Sequence, residues 1–240
     1  MISFRSVSKA YSSVSAVQDF TLEIPKGKIT VLMGLSGSGK TTLLRMINKM
    51  VTPTSGQILI DDVDIATLDS VKLRRSIGYV LQEVGLLPHK TVLDNVSLIA
   101  AISGQPKTEA DQNAREMLEL VGIDESFFSR YPNELSGGQQ QRVGVARALA
   151  IKPKILLMDE PFGAVDPIVR EELQDELLRI QQSLALTMVL VTHDRYEALK
   201  LADQLVVLSD HAQIEQSGTP EELSSNPANE FVSKLLGLGR

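Results

Sequence analysis

Nine consecutive residues, Gly34-Leu35-Ser36-Gly37-Ser38-Gly39-Lys40-Thr41-Thr42, carry the plainest chemistry in this chain. The first eight match G-x-x-x-x-G-K-[ST], the pattern of a phosphate-binding loop. Its glycines let successive N–H groups aim at one anion, and a following helix N-terminus adds the positive end of a dipole. Lys40 then reaches the outer phosphates and the Thr41 hydroxyl reaches Mg²⁺. The competing explanation is a glycine-rich turn that merely precedes a lysine. Four constrained positions arise by chance in roughly one chain in a hundred of this length, and the strand–loop–helix setting lowers that further.

Two other groups of residues belong beside that loop. Ile155-Leu156-Leu157-Met158-Asp159-Glu160 is an apolar strand ending in two carboxylates. An acid at the C-terminal end of a parallel strand is well placed to hold Mg²⁺, which selects Asp159 as a metal ligand. Glu160 points elsewhere and suits the activation of a water. Leu135-Ser136-Gly137-Gly138-Gln139 precedes a helical run from Gln140 to Ala150, which makes it a second small-residue nest at a helix N-terminus. Ser136, Gly137, Gly138 and Gln139 can offer N–H groups and a hydroxyl to an anion; the plainer alternative is a glycine-containing helix cap.

The elements that must position these residues follow from periodicity. Phe20, Leu22 and Ile24 alternate with polar neighbours as a half-buried strand does. Pro25-Lys26-Gly27 turns the chain into Ile29–Met33, continuous enough to be a buried central strand. A helix follows the glycine loop, and 57–60 and 77–81 read as further strands. From about Thr91 to Leu149 the pattern is helical, with a start expected at Thr108 and Asp111. Strands return at 154–158, 187–192 and 204–208, and Asn226-Pro227 is expected to open a last short helix. The order implies one α/β core, 1–86 with 150–240, interrupted by a helical insertion at 87–149.

Composition removes several alternatives. The chain has 240 residues and a net charge of −6, with no cysteine and 3 histidines. Disulfide scaffolds, thiol nucleophiles and Cys-ligated metals are excluded, and a His-rich centre is disfavoured. The acidic balance gives no general attraction to nucleic acid. No apolar run approaches a membrane span, and Met1–Arg5 lacks a signal-peptide pattern. A cytoplasmic location is therefore expected, with any membrane work done through a partner.

Gly34–Thr41, Leu135–Gln139 and Asp159-Glu160 together resemble the nucleotide-binding subunit of ABC transporters. The resemblance covers essentially the whole chain. It implies an α/β P-loop NTPase core with an N-terminal antiparallel β subdomain and an inserted helical subdomain, using ATP and Mg²⁺. Minor family elements occur in order. Tyr11 is similar to the aromatic that stacks on adenine, and Gln82 to the glutamine that touches Mg²⁺ and couples to the membrane subunit. Gly163-Ala164-Val165-Asp166 resembles the loop that crosses the dimer interface, and His193 the switch histidine on the γ-phosphate. His89 and His211 have no such context and read as surface residues. The resemblance further implies a head-to-tail homodimer, with ATP between Gly34–Thr42 of one copy and Ser136–Gln139 of the other. It also implies membrane permease subunits and an extracellular or periplasmic solute-binding protein, with this chain on the cytoplasmic face of the membrane.

Within the family, 47–56, 73–80, Gly85-Leu86-Leu87-Pro88-His89 and 162–167 look like importers of quaternary amines such as glycine betaine, carnitine and choline. Amino-acid importers share much of this. Relatives often continue into a regulatory module, and a stop at Arg240 puts ionic-strength sensing in doubt. Asp61-Asp62 replaces the usual Asp-Gly turn, so a looser hairpin is expected. Soluble ABC proteins acting on DNA or ribosomes, and P-loop kinases, are the remaining alternatives. The length argues against the former, and Leu135–Gln139 has no use in the latter.

Overall fold

The computed structural model describes residues 1–238 apart from Ser13 and Ala164, with Ile168 described for its backbone alone. In chain order the strands are β1 (Ile2–Tyr11), β2 (Val14–Ile24), β3 (Ile29–Gly34), β4 (Ser55–Ile60), β5 (Val63–Asp64), β6 (Ile77–Val80), β7 (Ile155–Asp159), β8 (Thr187–Thr192), β9 (Gln204–Leu208) and β10 (Ile214–Gly218). The helices are α1 (Lys40–Ile47), α2 (Ser70–Ser76), α3 (Val92–Ile102), α4 (Lys107–Leu120), α5 (Gly137–Leu149), α6 (Pro167–Leu184), α7 (Arg195–Leu201), α8 (Pro220–Ser225) and α9 (Glu230–Leu235). Among the described residues, no helix is long and apolar enough to cross a membrane. The chain divides into two units, one joining Met1–Arg74 to the stretch from Thr187 onward, the other Arg75–Leu186.

The first unit holds two kinds of sheet. Every residue of β3 is buried, and parallel neighbours take both its edges, β8 on one and β9 on the other. Buried on both faces, such a strand reads as an unbroken apolar run rather than an alternating one. β10 closes this sheet beside β9, running antiparallel. β2, β1, β4 and β5 form a separate antiparallel sheet in that order, its core marked by Phe4 and Phe20, edge-on at 5.1 Å between ring centres. Asp61 and Asp62 are both left-handed (φ 46° and 66°), and Ile60 still pairs with Val63, so the expected loosening of this hairpin is not seen. Aspartate tolerates that conformation better than most residues, and two left-handed positions in succession suit a two-residue hairpin.

The second unit is mainly helical, with β6 and β7 as a parallel pair and three helices, α3, α4 and α5, packed together. No strand lies within 91–149, as its periodicity predicts. Two helix starts differ from expectation. α4 begins at Lys107, one residue before Thr108, because extended Pro106 (φ −54°, ψ 141°) occupies the N-cap and its carbonyl accepts from Ala110 N–H. Asn226-Pro227, in the first unit, opens no helix. Asn226 instead terminates α8, and Asn229 caps α9 by accepting from Val232 N–H at 2.9 Å.

Candidate functional site

In the first unit, β3 delivers the glycine loop at its buried C-terminal end. Gly37 and Gly39 take φ of 85° and 93°, values that side-chain-bearing residues rarely adopt. Gly39 is also the N-cap of α1 and supplies no side-chain cap. An N-cap without a side chain lets an anion approach the first turn of α1 closely. Lys40, only 5% exposed, folds back across the loop. Its ammonium donates to Gly34 O at 2.9 Å, Leu35 O at 2.8 Å and Ser38 Oγ at 3.3 Å. That places a buried positive charge at the centre of a ring of small residues. Thr41 and Thr42 open the helix half-buried, while Leu35, Ser36 and Gly37 are exposed.

Two more expected residues lie in this unit. Parallel pairing sets Met33 opposite Thr192, so the chain leaves β3 for the glycine loop and leaves β8 for His193 at the same edge of the sheet. His193 is exposed there. Tyr11 ends β1, 48% exposed, with the Lys9 ammonium 4.9 Å from its ring centre.

His211 is exposed, as read from the sequence, and its ring also makes a tertiary hydrogen bond. It sits in a short turn, Asp210–Ala212, in which both His211 (φ 59°) and Ala212 (φ 61°) are left-handed. Non-glycine residues adopt that conformation at a cost, which the surrounding structure must offset. Two hydrogen bonds do so. His211 Nδ1 donates to Ser15 O at 2.7 Å, and Ala212 N–H donates to Ser38 O at 2.9 Å. The turn thus clips the glycine loop to the start of β2. The sequence held no motif that could have found it.

In the second unit, the acidic strand end divides its two carboxylates. Asp159 closes β7 and is buried, with the Tyr79 hydroxyl donating to Oδ2 at 3.5 Å. Glu160 turns left-handed (φ 46°), which takes its side chain out of the strand's alternation and leaves it half-buried. Gln82 comes to it: Nε2 donates to Glu160 Oε2 at 3.3 Å. Gly163 lies beside both, and Asp166 is exposed just before α6. Ala164, named with them, lies outside the described residues.

Ser136 is the N-cap of α5. Its Oγ accepts from Gln139 N–H at 3.3 Å, while Gln139 Oε1 accepts from Ser136 N–H at 2.9 Å. This reciprocal box satisfies two backbone donors and leaves Gly137 and Gly138 as the open part of the nest. A Cβ on Gly138 would stand 2.6 Å from Val169 Cγ1 of α6, so the nest is packed too closely for alanine. Further along α5, Gly144 admits Val84, and Arg147 donates to Gly85 O at 2.8 Å and also to Val84 O. The stretch following Gln82 is therefore bound to the helix that carries the nest. Arg142 pairs with Glu176 of α6 and donates to Val121 O, at the end of α4, at 2.8 Å. Burial holds both guanidinium groups below their ordinary pKa.

Comparison with known proteins shows which family carries these motifs. Residues 17–163 match the ABC transporter family. This chain belongs to that family. Curated members of the family are similar along its full length. The carnitine transport ATP-binding protein OpuCA of Listeria monocytogenes is 48% identical over 100% of this chain and 60% of its own length. The glycine betaine/carnitine/choline transport ATP-binding protein OpuCA of Bacillus subtilis is 49% identical, over 100% of this chain and 63% of its own. The chain thus spans about three fifths of these relatives. Among solved structures, the dimeric bacterial ABC transporter cassette MJ0796 superposes with a TM-score of 0.82 at 35% identity, over 92% of this chain and 99% of that one. The protein cbiO1 of Clostridium perfringens, part of the ABC transporter complex cbiONQ, gives a TM-score of 0.86 at 29% identity, over 99% of this chain and 94% of that one. As an ABC transporter ATP-binding domain, the chain has the α/β P-loop NTPase fold expected from its motifs.

Proposed function

We propose that this chain is the ATP-hydrolysing motor subunit of an ABC importer for quaternary amines. The buried Lys40 ammonium within the glycine loop, next to the uncapped first turn of α1, is the observation that carries the reading. A point charge and aligned N–H groups in one low-dielectric pocket bind an outer phosphate far better than either does in water. Tyr11, exposed at the end of β1, is the stacking surface for the base. Thr41, Gln82 and Asp159 are the residues that would hold Mg²⁺, and an all-oxygen set of hydroxyl, amide and carboxylate suits that hard cation. When bound, it neutralises charge on the phosphate oxygens.

Glu160 is the general base. Its carboxylate is half-buried and accepts from the Gln82 amide at 3.3 Å, which orients it beside the end of β7. His193 contacts the terminal phosphate from the edge shared with the glycine loop. The second nest, Ser136–Gln139, serves the ATP bound to another copy, so the working form is a head-to-tail homodimer, and Asp166 lies in the loop that meets its twin. The α/β core of this machine comprises 1–86 and 150–240, with 87–149 as the helical insert. Its partners are integral membrane permease subunits and a solute-binding protein, which place the chain on the cytoplasmic face of the membrane. The carnitine and glycine betaine names of its relatives support the cargo class.

Two substitutions test the reading together. Lys40→Ala removes the phosphate charge and should abolish equilibrium binding of a fluorescent ATP analogue while the chain stays folded. Glu160→Gln should still bind ATP and Mg²⁺ but lose about 10²–10⁴-fold in turnover, the usual worth of a general base. With closure allowed and hydrolysis blocked, it should accumulate as an ATP-bound dimer in size-exclusion chromatography. Undiminished analogue affinity in the first, or near-normal turnover in the second, defeats the assignment.

A further inference from the structure

The turn that carries His193 is built on a buried acid that the proposed mechanism does not use. Thr192 and Glu197 are 2% and 3% exposed. The Thr192 hydroxyl donates to Glu197 Oε2 at 2.7 Å and accepts from Asp194 N–H at 2.9 Å. Asp194 in turn caps α7, its Oδ1 accepting from Tyr196 N–H at 2.8 Å and Glu197 N–H at 3.3 Å. One hydroxyl therefore grips the chain on both sides of His193: its own residue is the last of β8, and its acceptor role holds the residue that follows the histidine. Glu197 fixes the direction of that hydroxyl, because a carboxylate acceptor oriented from the first turn of α7 leaves the single hydroxyl proton no other place to go.

A glutamate is an expensive way to fill an interior position, since an ionised carboxylate loses its hydration and needs hydrogen bonds in return. Nothing in the packing of α7 demands it, as Ala198 and Leu201 already supply that helix's apolar face. Its carboxylate accepts from the Thr192 hydroxyl at the root of the His193 turn. We propose that Glu197 is a positioning residue, acting through Thr192 to hold the exposed His193 at the edge where the glycine loop begins. The inference rests on the role given to His193 above, and concerns a residue that touches neither nucleotide nor metal.

The test compares Thr192→Val, Glu197→Ala, Glu197→Gln and His193→Ala in the full chain. Thr192→Val and Glu197→Ala should keep ATP-analogue affinity within about threefold and lower kcat by about 10–100-fold, the scale of a misplacement near 1 Å. Glu197→Gln retains an acceptor oxygen and should stay within about threefold of wild-type kcat. In a His193→Ala background, Thr192→Val should add no further loss, because two changes acting through one group are not additive. Full kcat in Thr192→Val, or an undiminished additional loss in the His193→Ala background, overturns the proposal. A readout free of turnover completes it. With three histidines in the chain, ring-labelled NMR spectra are simple. The His193 resonance should shift in Thr192→Val and in Glu197→Ala while His89 and His211 keep their positions. A stationary His193 resonance refutes the relay even if the chain proves not to hydrolyse ATP, and a shifted one in a chain without ATPase activity would instead fault the proposed function.

Discussion

Gly138→Ala perturbs the second nest by a single methyl group, and the structure sets its size. The new Cβ would lie 2.6 Å from Val169 Cγ1, whereas ordinary carbon contacts are about 3.6 Å, so the two surfaces must part by about 1 Å. Val169 lies on α6 and Gly138 in the first turn of α5, so the first turn of α5 has to yield. The stability effect is small. Overpacking costs about 1–3 kcal/mol, and the change from glycine to alanine within a helix returns up to about 1 kcal/mol. The net, about 0–2 kcal/mol, should lower the melting midpoint by no more than about 8 °C in a domain of this size. Catalysis should suffer more, by about 10²-fold in kcat, because the donors of the nest move by that same distance. Steady-state ATPase rates and thermal melts measure the two effects. Val169→Ala removes the obstructing methyl groups and should restore most of the turnover lost in Gly138→Ala. If Gly138→Ala alone hydrolyses ATP within threefold of wild type, or if Val169→Ala restores none of the loss, the packing argument is wrong.

Ser136→Arg puts a bulky cation into the same nest. It should leave analogue binding by the monomer intact while eliminating hydrolysis, and normal hydrolysis by the mutant homodimer would sink the shared-site reading. His211→Gly removes the imidazole bond to Ser15 O while easing the left-handed backbone. The KM for ATP should rise about 2–10-fold at constant kcat, the worth of one such hydrogen bond; a steady-state titration decides it. Leu177→Ala empties a side chain that is 2% exposed on α6 and should destabilise the chain by about 2–5 kcal/mol. A midpoint unchanged in denaturant would contradict that burial.

The parts of the fold that were legible are those where periodicity and function coincide. β3 reads as a central strand because all its residues are apolar or small, and the helical stretch from 91 to 149 shows no competing alternation. β1 is not legible as a strand, for a physical reason. Its pairing slips between Phe4 and Val7, and Ser6 is left-handed (φ 45°), so the buried residues no longer alternate. β10 is not legible either, because Ile214-Glu215-Gln216-Ser217-Gly218 is an edge strand with a single apolar residue. Near the C-terminal end, Thr219-Pro220, Asn226-Pro227 and Asn229 all resemble helix starts. Only the backbone distinguishes them, since Asn226 N–H already donates to Glu222 O as the end of α8. At the site, motif spacing located the glycine loop, the carboxylates and the second nest. It had no means of finding His211, Thr192 or Glu197, whose roles come from hydrogen bonds made after the chain has folded.

The close approach of Gly144 to Val84 gives α5 a mechanical character. With Arg147 holding two carbonyls of the same stretch, the helix cannot slide against that loop without breaking several contacts at once. At 1.5 Å per residue, Gly144 stands about 12 Å along the axis from Ser136. A sideways push of about 1 Å at Val84 is therefore a rotation of about 5° when α5 pivots at its nest, and a sweep of about 2.6 Å at the nest when it pivots at Leu149. In geometric terms α5 is a lever, with the residues after Gln82 near its middle and the serine–glycine turn at its tip.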